Sequence, residues 1–194
     1  MNIEIRKLTP DLAEDYVHFF DVTPHDEGTE GAKCYCVCWC SDDCEGKDFS
    51  SPEKRRELAL QYVRDGSIQG YLAYHDGRIV GWCNANTKSD CLQCGGWRHC
   101  MKSVDKIKFY PDEKVKSVFC FVIAPEMKRR GIATQLVERV CEDAANDGFD
   151  FVEAYPNKKF EVYDFVGPLA MYKKCGFRKV AKAKGKVVVR RALK

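Results

Sequence analysis

The sequence predicts an α/β fold built on a mixed, largely antiparallel, twisted sheet of about seven strands. The first observation is a set of seven short segments with the apolar runs or the alternation typical of strands. The second is the stretch VFCFVIAPEMKRRGIATQLVERV, residues 118–140, where an apolar run turns at a proline and resumes with helical spacing. Another strand pattern follows this helix, and a strand–helix–strand unit implies parallel pairing and a right-handed crossover. A length of 194 residues fits a single domain, 1–194.

The first half of the chain predicts three strands and two helices. An alternating segment opens the chain, Thr9-Pro10 is a helix-start signal, and Ser51-Pro52-Glu53 starts a second helix that ends at Gly66. The pair Asp76-Gly77 is a strong hairpin signal between two further strands. The expected strands are 2–8, 69–74 and 78–86, and the expected helices are 11–20 and 51–66. The cysteine-rich segment 22–49 receives no assignment.

The second half predicts four strands, two helices and one long connection. Residues 87–115 contain two glycines, a proline and three cysteines, and a loop of that length in a compact domain is usually functional. Gly148 stops the helix that begins near Arg130, and Gly176 closes a short helix before the last strand pair. The expected strands are 116–124, 149–155, 177–182 and 186–191, and the expected helices are 130–147 and 169–174.

Composition and charge exclude several classes of function. The 32 basic and 29 acidic residues give a net charge of +3, which offers no global argument for nucleic-acid binding, and the lysines of the basic tail suit edge strands that avoid aggregation. No apolar run approaches the ~20 residues that span a bilayer, and the N-terminus lacks an apolar signal core. We therefore expect a cytoplasmic protein, a monomer or homodimer, with no nucleic-acid or membrane partner.

The turn between the quoted strand and its helix has the features of a phosphate site. A helix points its unpaired N–H groups and the positive end of its dipole at one spot, and phosphates are frequent ligands there. Gly131 allows close approach of the backbone, and Lys128, Arg129 and Arg130 add formal charge. Any strand–helix turn can carry a glycine and solvated cations, so this short pattern gains weight only from its context.

Two linked motifs supply that context. VIAPEMKRRGIATQL resembles the acyl-CoA-binding signature of the GNAT N-acetyltransferases, which reads Gln or Arg, two residues, Gly, one residue, then Gly or Ala. MYKKCGF resembles the second hallmark of that family, an aromatic-rich helix end that leads to Gly-Phe and the final strands. The resemblance is closest over 117–178, and the order of elements extends it over nearly the whole chain. It implies the GNAT fold, with helices on both faces of the sheet, and acetyl-CoA as cosubstrate.

The resemblance also implies which residues hold the coenzyme. Backbone amides of the turn and first helical turn would bind the pyrophosphate, and the edge of the preceding strand would hydrogen-bond the pantetheine arm. Lys128 stands where the family usually has Gln or Arg, and its ammonium group lacks the planar pair of donors of a guanidinium. An Asn that the family commonly has upstream of the tyrosine is also missing. The expected coenzyme-binding residues are Phe121, Val122, Ile123, Lys128, Arg129, Arg130, Gly131, Ile132, Ala133 and Thr134.

Direct attack of an amine on a thioester needs a base and a donor. The resemblance implies that Tyr172 points at the thioester sulfur and protonates the departing thiolate, although a buried Tyr also commonly serves packing. For the base we favour Glu153, a lone glutamate within the apolar strand FVEAYP, because burying a charge is costly. Tyr155, Asp164 or water are alternatives. Trp82, Tyr155 and Asp164 are the expected acceptor-binding residues.

The 12 cysteines raise a separate question. Cys34, Cys36, Cys38 and Cys40 share one face if the segment is a strand, whereas on a helix only Cys36, Cys40 and Cys44 align. Cys91-x-x-Cys94 is half of a zinc pattern, but no second half is obvious, so we expect reduced thiols and no metal site.

The sequence therefore predicts an N-acetyltransferase that moves an acetyl group from acetyl-CoA to a primary amine, on a small molecule or a protein, in a ternary complex. The rival interpretation is a non-catalytic acyl-CoA-binding, metal-responsive or thiol-sensing module on the same fold. That module would keep the Gly131 turn but would not need Tyr172 or Glu153.

Overall fold

A computed structural model describes residues 1–23, 33–41, 51–105, 107, 112–159 and 165–194. Seven strands form one sheet in the order β1-β2-β3-β4-β5-β7-β6. They are β1 (Glu4–Lys7), β2 (Gly70–His75), β3 (Arg78–Thr87), β4 (Val115–Ile123), β5 (Phe151–Ala154), β6 (Arg178–Lys182) and β7 (Val187–Ala192). Only β4 and β5 pair in parallel, and every other neighbouring pair is antiparallel. The prediction of a mixed, mostly antiparallel sheet of seven strands is confirmed.

Six α-helices accompany the sheet within the described residues. They are α1 (Ala13–Val22), α2 (Pro52–Arg64), α3 (Lys88–Cys91), α4 (Gly95–Cys100), α5 (Ile132–Asn146) and α6 (Leu169–Lys174). The four helices predicted from the sequence correspond to α1, α2, α5 and α6. The Ser51 hydroxyl caps α2 by accepting a hydrogen bond from the Lys54 amide at 3.3 Å. The connection after β3, for which the sequence predicts a long loop, contains the helices α3 and α4 instead.

The helices cover both faces of the sheet. On the first face, α1, α2 and α4 pack with the cysteine-rich segment 33–41 over Leu72, Trp82 and Phe119. On the second face, α5 and α6 pack over Cys83, Val118 and Val152. The apolar residues of α5 recur at helical spacing and form one apolar face. Leu136, Val137 and Val140 on this face are completely buried, so their burial holds the helix against the sheet.

The cysteine-rich segment 33–41 is not a strand. Tyr35 and Cys36 have φ angles of 47° and 53°, and a short 3₁₀-helix, Val37–Trp39, follows them. Two consecutive left-handed residues break the alternation on which a shared strand face depends, so that alternative for the four cysteines is wrong. Among the described residues, no helix is long and apolar enough to cross a membrane.

Candidate active site

A cleft opens between β4 and β5. The two strands pair only from Val115 to Val118 on β4; β5 ends at Ala154, while β4 continues to Ile123 paired with β3 on its other side. A register shift between β3 and β4 leaves Phe119 as an extra residue, because Asn84 pairs with Cys120 and Ala85 pairs with Val118. A β-bulge bends its strand and redirects side chains, which is why bulges recur beside functional sites. We name this opening the β4–β5 cleft.

The turn that follows β4 presents free backbone donors at one end of this cleft. Gly131 caps α5 with φ 81°, and the first helical hydrogen bond runs from the Gln135 amide to the Gly131 carbonyl at 3.1 Å. The amides of Ile132, Ala133 and Thr134 therefore precede the helical hydrogen-bond ladder. The turn itself, from Lys128 to Gly131, is exposed. The structure thus brings the predicted cations and amides together around the start of α5.

The strand edge predicted to hold pantetheine is already hydrogen-bonded. The Phe121 amide donates to the Phe165 carbonyl at 2.7 Å. Phe121 and Val122 are buried, and Ile123 is partly exposed at the end of the strand. A pantetheine amide bound at Phe121 would have to replace the Phe165 carbonyl, so the assignment of this edge stays a prediction.

Tyr172 lies on α6 beside the same strand. Its ring is fully buried between Phe121, at a centroid distance of 6.5 Å, and Phe177, at 5.2 Å. Its hydroxyl donates to the Val166 carbonyl at 2.7 Å. The segment containing Phe165 and Val166 therefore caps both the Phe121 amide and the Tyr172 hydroxyl, the two donors assigned to coenzyme and thiolate.

Glu153 lies at the base of the cleft, where β5 still pairs with β4 opposite Ser117. It is completely buried, and Oε1 accepts hydrogen bonds from Lys88 Nζ at 2.7 Å and from the Tyr155 hydroxyl at 2.6 Å. Arg190 Nε donates to Oε2 at 2.5 Å. Two cations and a phenol thus surround this carboxylate, because a charge buried away from water needs partners of opposite charge and hydrogen-bond donors.

Tyr155 connects Glu153 to the opposite strand. Its hydroxyl also lies 2.8 Å from Ser117 Oγ, so a chain of hydrogen bonds links Ser117, Tyr155 and Glu153. Burial, followed by the negative charge of Glu153, raises the pKa of Tyr155 well above its usual range. Burial lowers the pKa of Lys88 although Glu153 opposes that shift. Tyr155 is therefore protonated at neutral pH, and it donates to the carboxylate.

An aromatic cluster fills the first face above the bulge. The rings of Trp39 and Phe119 stack at 4.4 Å, Phe119 and Tyr155 stack at 5.8 Å, and Trp97 meets the last two edge-on. Trp82, predicted to bind the acceptor, is instead buried in the core, where its indole donates to Cys36 Sγ at 3.3 Å. Asp164, the third predicted acceptor residue, lies outside the described residues.

Sequence reasoning missed four polar residues near this site: Asn84, Lys88, Ser117 and Arg190. Asn84 lies fully buried opposite the bulge, and neither of its amide atoms has a hydrogen-bond partner in the structure as described. A buried polar group without a partner is costly. For Asn84, Ser117 and Arg190 the available signal was the same one that identified Glu153, a polar residue inside an apolar strand, whereas Lys88 begins α3 and carries no such signal.

The cysteines form contacts with one another without forming a metal site in the described regions. Cys36 Sγ lies 3.5 Å from Cys120 Sγ, and both residues are buried. The hydrogen bond with Cys120, together with burial, raises the pKa of Cys36. Within residues 1–23, 33–41, 51–105, 107, 112–159 and 165–194, no three Cys, His, Asp or Glu side chains converge as metal ligands.

Comparisons with known proteins agree with this architecture. The model of the acetyltransferase (GNAT) family matches residues 36–177. A GNAT acetyltransferase from Streptococcus pneumoniae is 14% identical, with 98% of this chain and 99% of that chain covered and a TM-score of 0.61. The polyamine N-acetyltransferase of Drosophila melanogaster, which forms N-acetylagmatine, is 15% identical, with 97% of each chain covered and a TM-score of 0.57.

A third structure was solved with its coenzyme. PaiA N-acetyltransferase from Thermoplasma acidophilum, in complex with coenzyme A, is 15% identical, with 99% of each chain covered and a TM-score of 0.55. At such identities these likenesses show the fold. No curated protein sequence matches the chain. Since the family model spans well over half of the sequence, the chain belongs to the acetyltransferase (GNAT) family.

Proposed function

We propose that the protein transfers an acetyl group from acetyl-CoA to a primary amine by direct attack in a ternary complex. The observation that carries this proposal is the position of the β4–β5 cleft. One end adjoins the amide-rich turn at Gly131, and Tyr172 lies beside the same stretch of β4. A thioester whose pyrophosphate lies on the turn would extend along β4 toward the bulge at Phe119.

The coenzyme would be held by the amides and cations of the turn. Ile132, Ala133 and Thr134 offer N–H groups, and Lys128, Arg129 and Arg130 supply charge for the pyrophosphate. The pantetheine arm would exchange with the Phe165 carbonyl at the Phe121 amide. The same exchange would withdraw Val166 from Tyr172 and leave its hydroxyl for the sulfur.

Deprotonation of the amine is the first chemical requirement. An amine with a pKa of ~10.4 is neutral in only about one molecule in 2,500 at pH 7, a deficit of roughly 4.6 kcal/mol. We propose that the Tyr155 hydroxyl accepts the amine proton while its own proton passes to Glu153 Oε1, 2.6 Å away. Because the pKa of Tyr155 is raised, the two transfers must be concerted, so that no phenolate forms.

Collapse of the tetrahedral adduct then breaks the bond from carbon to sulfur. The departing thiolate takes a proton from the Tyr172 hydroxyl, since a phenol with a pKa of ~10 is protonated at pH 7, and a proton from solvent would then restore that hydroxyl. Lys88 and Arg190 would stabilise Glu153 before the transfer. Together with Trp97, both cations line an open pocket of about 660 Å³, through which the proton can return to solvent.

Calorimetric titration of acetyl-CoA and desulfo-CoA tests the coenzyme site. Gly131→Glu places a carboxylate at the turn, and Gly148→Glu is its matched control, because both glycines adjoin α5, have φ angles of 81° and 76°, and leave open space for a side chain. We expect binding by wild type and by Gly148→Glu, and loss of binding by Gly131→Glu. No binding by wild type would contradict the proposal.

An amine panel with free thiol as the readout then tests transfer. Agmatine and polyamines are reasonable first members, because one structural relative forms N-acetylagmatine. Thiol release that depends on both acetyl-CoA and an amine is expected. Binding of acetyl-CoA without transfer to any amine would favour the rival function, a thiol-responsive acyl-CoA-binding module, for which the 3.5 Å contact between Cys36 and Cys120 is the supporting observation.

A further inference from the structure

A strongly basic surface surrounds β6, the last strand of the sheet. Its eight cations come from two elements, α6 and β6, and from the connections beside β5 and β6, and all are exposed. We name it the β6 lysine surface. It consists of Lys158, Lys159, Lys173, Lys174, Arg178, Lys179, Lys182 and Lys184. Because the whole chain has a net charge of +3, the sequence outside these eight cations carries a net charge of −5.

Among the described residues, no carboxylate forms an ion pair with these cations. Partial desolvation and the neighbouring ammonium groups of Lys182, Lys158 and Lys173 lower the pKa of Lys179. These like charges are therefore close enough to repel one another, and an anionic partner would reduce that repulsion.

Protection against aggregation does not account for the whole surface. Lysines on an edge strand discourage pairing with another chain, and Lys179 and Lys182 suit that purpose. Lys158 follows β5 and Lys173 lies in the last turn of α6, yet both act on Lys179. Cations that converge from outside the edge strand form a surface instead of a simple row along the edge.

The strand beneath this surface has an open side. β6 is terminal in the sheet and pairs only with β7 among the described strands, so the backbone groups on its outer edge face no neighbouring strand. A register shift between Lys179 and Ala181 makes Val180 protrude, and this valine is 50% exposed. An extended peptide can add to such an edge through backbone hydrogen bonds, while its side chains determine specificity.

The chemistry of the surface favours an acidic peptide over nucleic acid. Single-stranded nucleic acid is usually bound with aromatic side chains for base stacking, and none of the exposed large hydrophobic side chains among the described residues is aromatic. The exposed valine among the lysines suits a segment that alternates acidic and apolar residues.

We propose that the β6 lysine surface is a docking site for an acidic, extended segment of a partner protein, which adds as a further strand along the outer edge of β6. This proposal does not depend on the acetyltransferase reaction. α6 carries both Tyr172 and Lys173, so a partner bound at this surface would lie beside the element that borders the β4–β5 cleft.

Fluorescence anisotropy with a labelled peptide tests the proposal. The probe is an alternating glutamate–valine peptide of about eight residues, the length of an ordinary strand. The variant Lys158→Glu/Lys173→Glu/Lys179→Glu reverses the surface, and Lys54→Glu/Arg78→Glu/Lys102→Glu makes the same charge change at other exposed positions. We expect wild type and the control to bind in a salt-dependent manner, and the surface variant to bind at least about tenfold more weakly.

Three further probes make the result decisive. A peptide methylated on alternate backbone amides should lose affinity if it pairs with β6. Unchanged binding would show that the peptide does not add to β6 as a strand. Tighter binding of duplex DNA, or of vesicles containing phosphatidylserine, in the same buffer would overturn the choice of partner. Absence of peptide binding at low salt, or equal loss in both triple variants, would overturn the docking site itself.

Discussion

Single buried polar residues decide whether the proposed chemistry is available. Glu153 has no exposed surface and receives hydrogen bonds from Lys88, Tyr155 and Arg190. Removing the charge would leave two cations around a neutral amide, and breaking a buried ion pair typically costs about 3–5 kcal/mol. We expect Glu153→Gln to lower the free energy of unfolding by that amount in urea denaturation.

Glu113→Gln is the matched control for Glu153→Gln. Glu113 accepts a hydrogen bond from another nitrogen of Arg190 at 2.6 Å and is partly exposed, whereas the described hydrogen bonds of Tyr155 go to Ser117 and Glu153. Where both variants remain folded, only Glu153→Gln should change the dependence of transfer on pH, because only Glu153 accepts the relayed proton. An unchanged pH profile in Glu153→Gln would rule out its role as the base.

A second prediction concerns the hydroxyl of Tyr172. Tyr172→Phe removes the hydroxyl that would protonate the thiolate, and loss of a positioned acid typically slows a reaction about 10²- to 10⁴-fold. Affinity for acetyl-CoA should persist, since the ring keeps its contacts with Phe121 and Phe177. Stopped assays of thiol release and calorimetry on the same sample separate the two effects.

Tyr71→Phe provides the comparison for Tyr172→Phe. Tyr71 is a buried phenol on the same face of the sheet, but it belongs to β2, away from the cleft. Both substitutions should cost about 1 kcal/mol of stability, the usual contribution of one hydrogen bond. A Tyr172→Phe enzyme as fast as Tyr71→Phe would remove Tyr172 from the mechanism.

What the sequence reveals of the site depends on whether a signal is local. Glu153 and Tyr172 were found because each stands out within a few residues, one as a charge in an apolar strand and one within MYKKCGF. Lys88 and Arg190 were missed as partners of Glu153, because they lie 65 and 37 residues away along the chain. Only the pairing of β5 with β7, and the return of the chain after β3, bring them together.

At the scale of elements, glycines with special conformations were the most reliable guides. Gly148 follows the end of α5 as the sequence predicts, whereas Gly131, which lies inside the predicted helix 130–147, is the left-handed residue that caps its start. In segment 33–41 the alternation of cysteines does not form a strand, because Tyr35 and Cys36 are left-handed. Neither residue is a glycine, so the sequence gives no local signal for this conformation. Its fold is set by packing against α4 and the sheet.

That packing can be tested at Gly96. A Cβ atom there would lie 2.8 Å from the Cys38 carbonyl oxygen and 2.8 Å from a ring carbon of Trp39, so Gly96→Ala must separate α4 from segment 33–41. Overpacking of this kind typically costs about 1–3 kcal/mol. We expect the stack of Trp39 on Phe119 to loosen, which tryptophan fluorescence and faster labelling of the Cys36 thiol would report.

Gly148→Ala distinguishes crowding from loss of a glycine. Gly148 has open space around it, so its substitution carries only the strain of a φ of 76°. It should leave the fluorescence and the thiol labelling as in wild type. Equal changes in both variants would mean that the contact of Gly96 with Trp39 does not hold the segment in place.

At the scale of the whole molecule, the sequence predicts the number of strands but not their order. The parallel pair of β4 and β5 follows from the strand–helix–strand unit. The insertion of β7 between β5 and β6 could not be predicted, because a hairpin of β6 and β7 has the same local pattern whichever strand joins the sheet. The order matters for function, since it places Arg190 beside Glu153 and leaves β6 at the edge.

The buried thiols predict how stability depends on pH. Burial raises the pKa of Cys40 and Cys83 and brings that of Cys141 to about 12, against about 8.5 for a thiol in the unfolded chain. A group whose folded pKa is raised contributes fully below its unfolded pKa and loses that contribution as pH rises. Above pH ~8.5, each such thiol therefore costs up to about 1.4 kcal/mol per pH unit.

Lysines with a lowered pKa act in the opposite direction, and Lys116, Lys88 and Lys179 are of this kind. Burial lowers the pKa of Lys116 to about 8, below its unfolded value of ~10.4, so its contribution to stability rises between those two pH values. The thiols whose pKa is raised outnumber these lysines, and we expect the free energy of unfolding to fall between about pH 8.5 and 10 in urea denaturation under reductant. Lys116→Met should steepen the fall and Cys83→Ala should flatten it, whereas Cys100→Ser, at an exposed thiol, should leave it unchanged. A stability that stays constant or rises over this range would show that the thiols are not held protonated by the folded state.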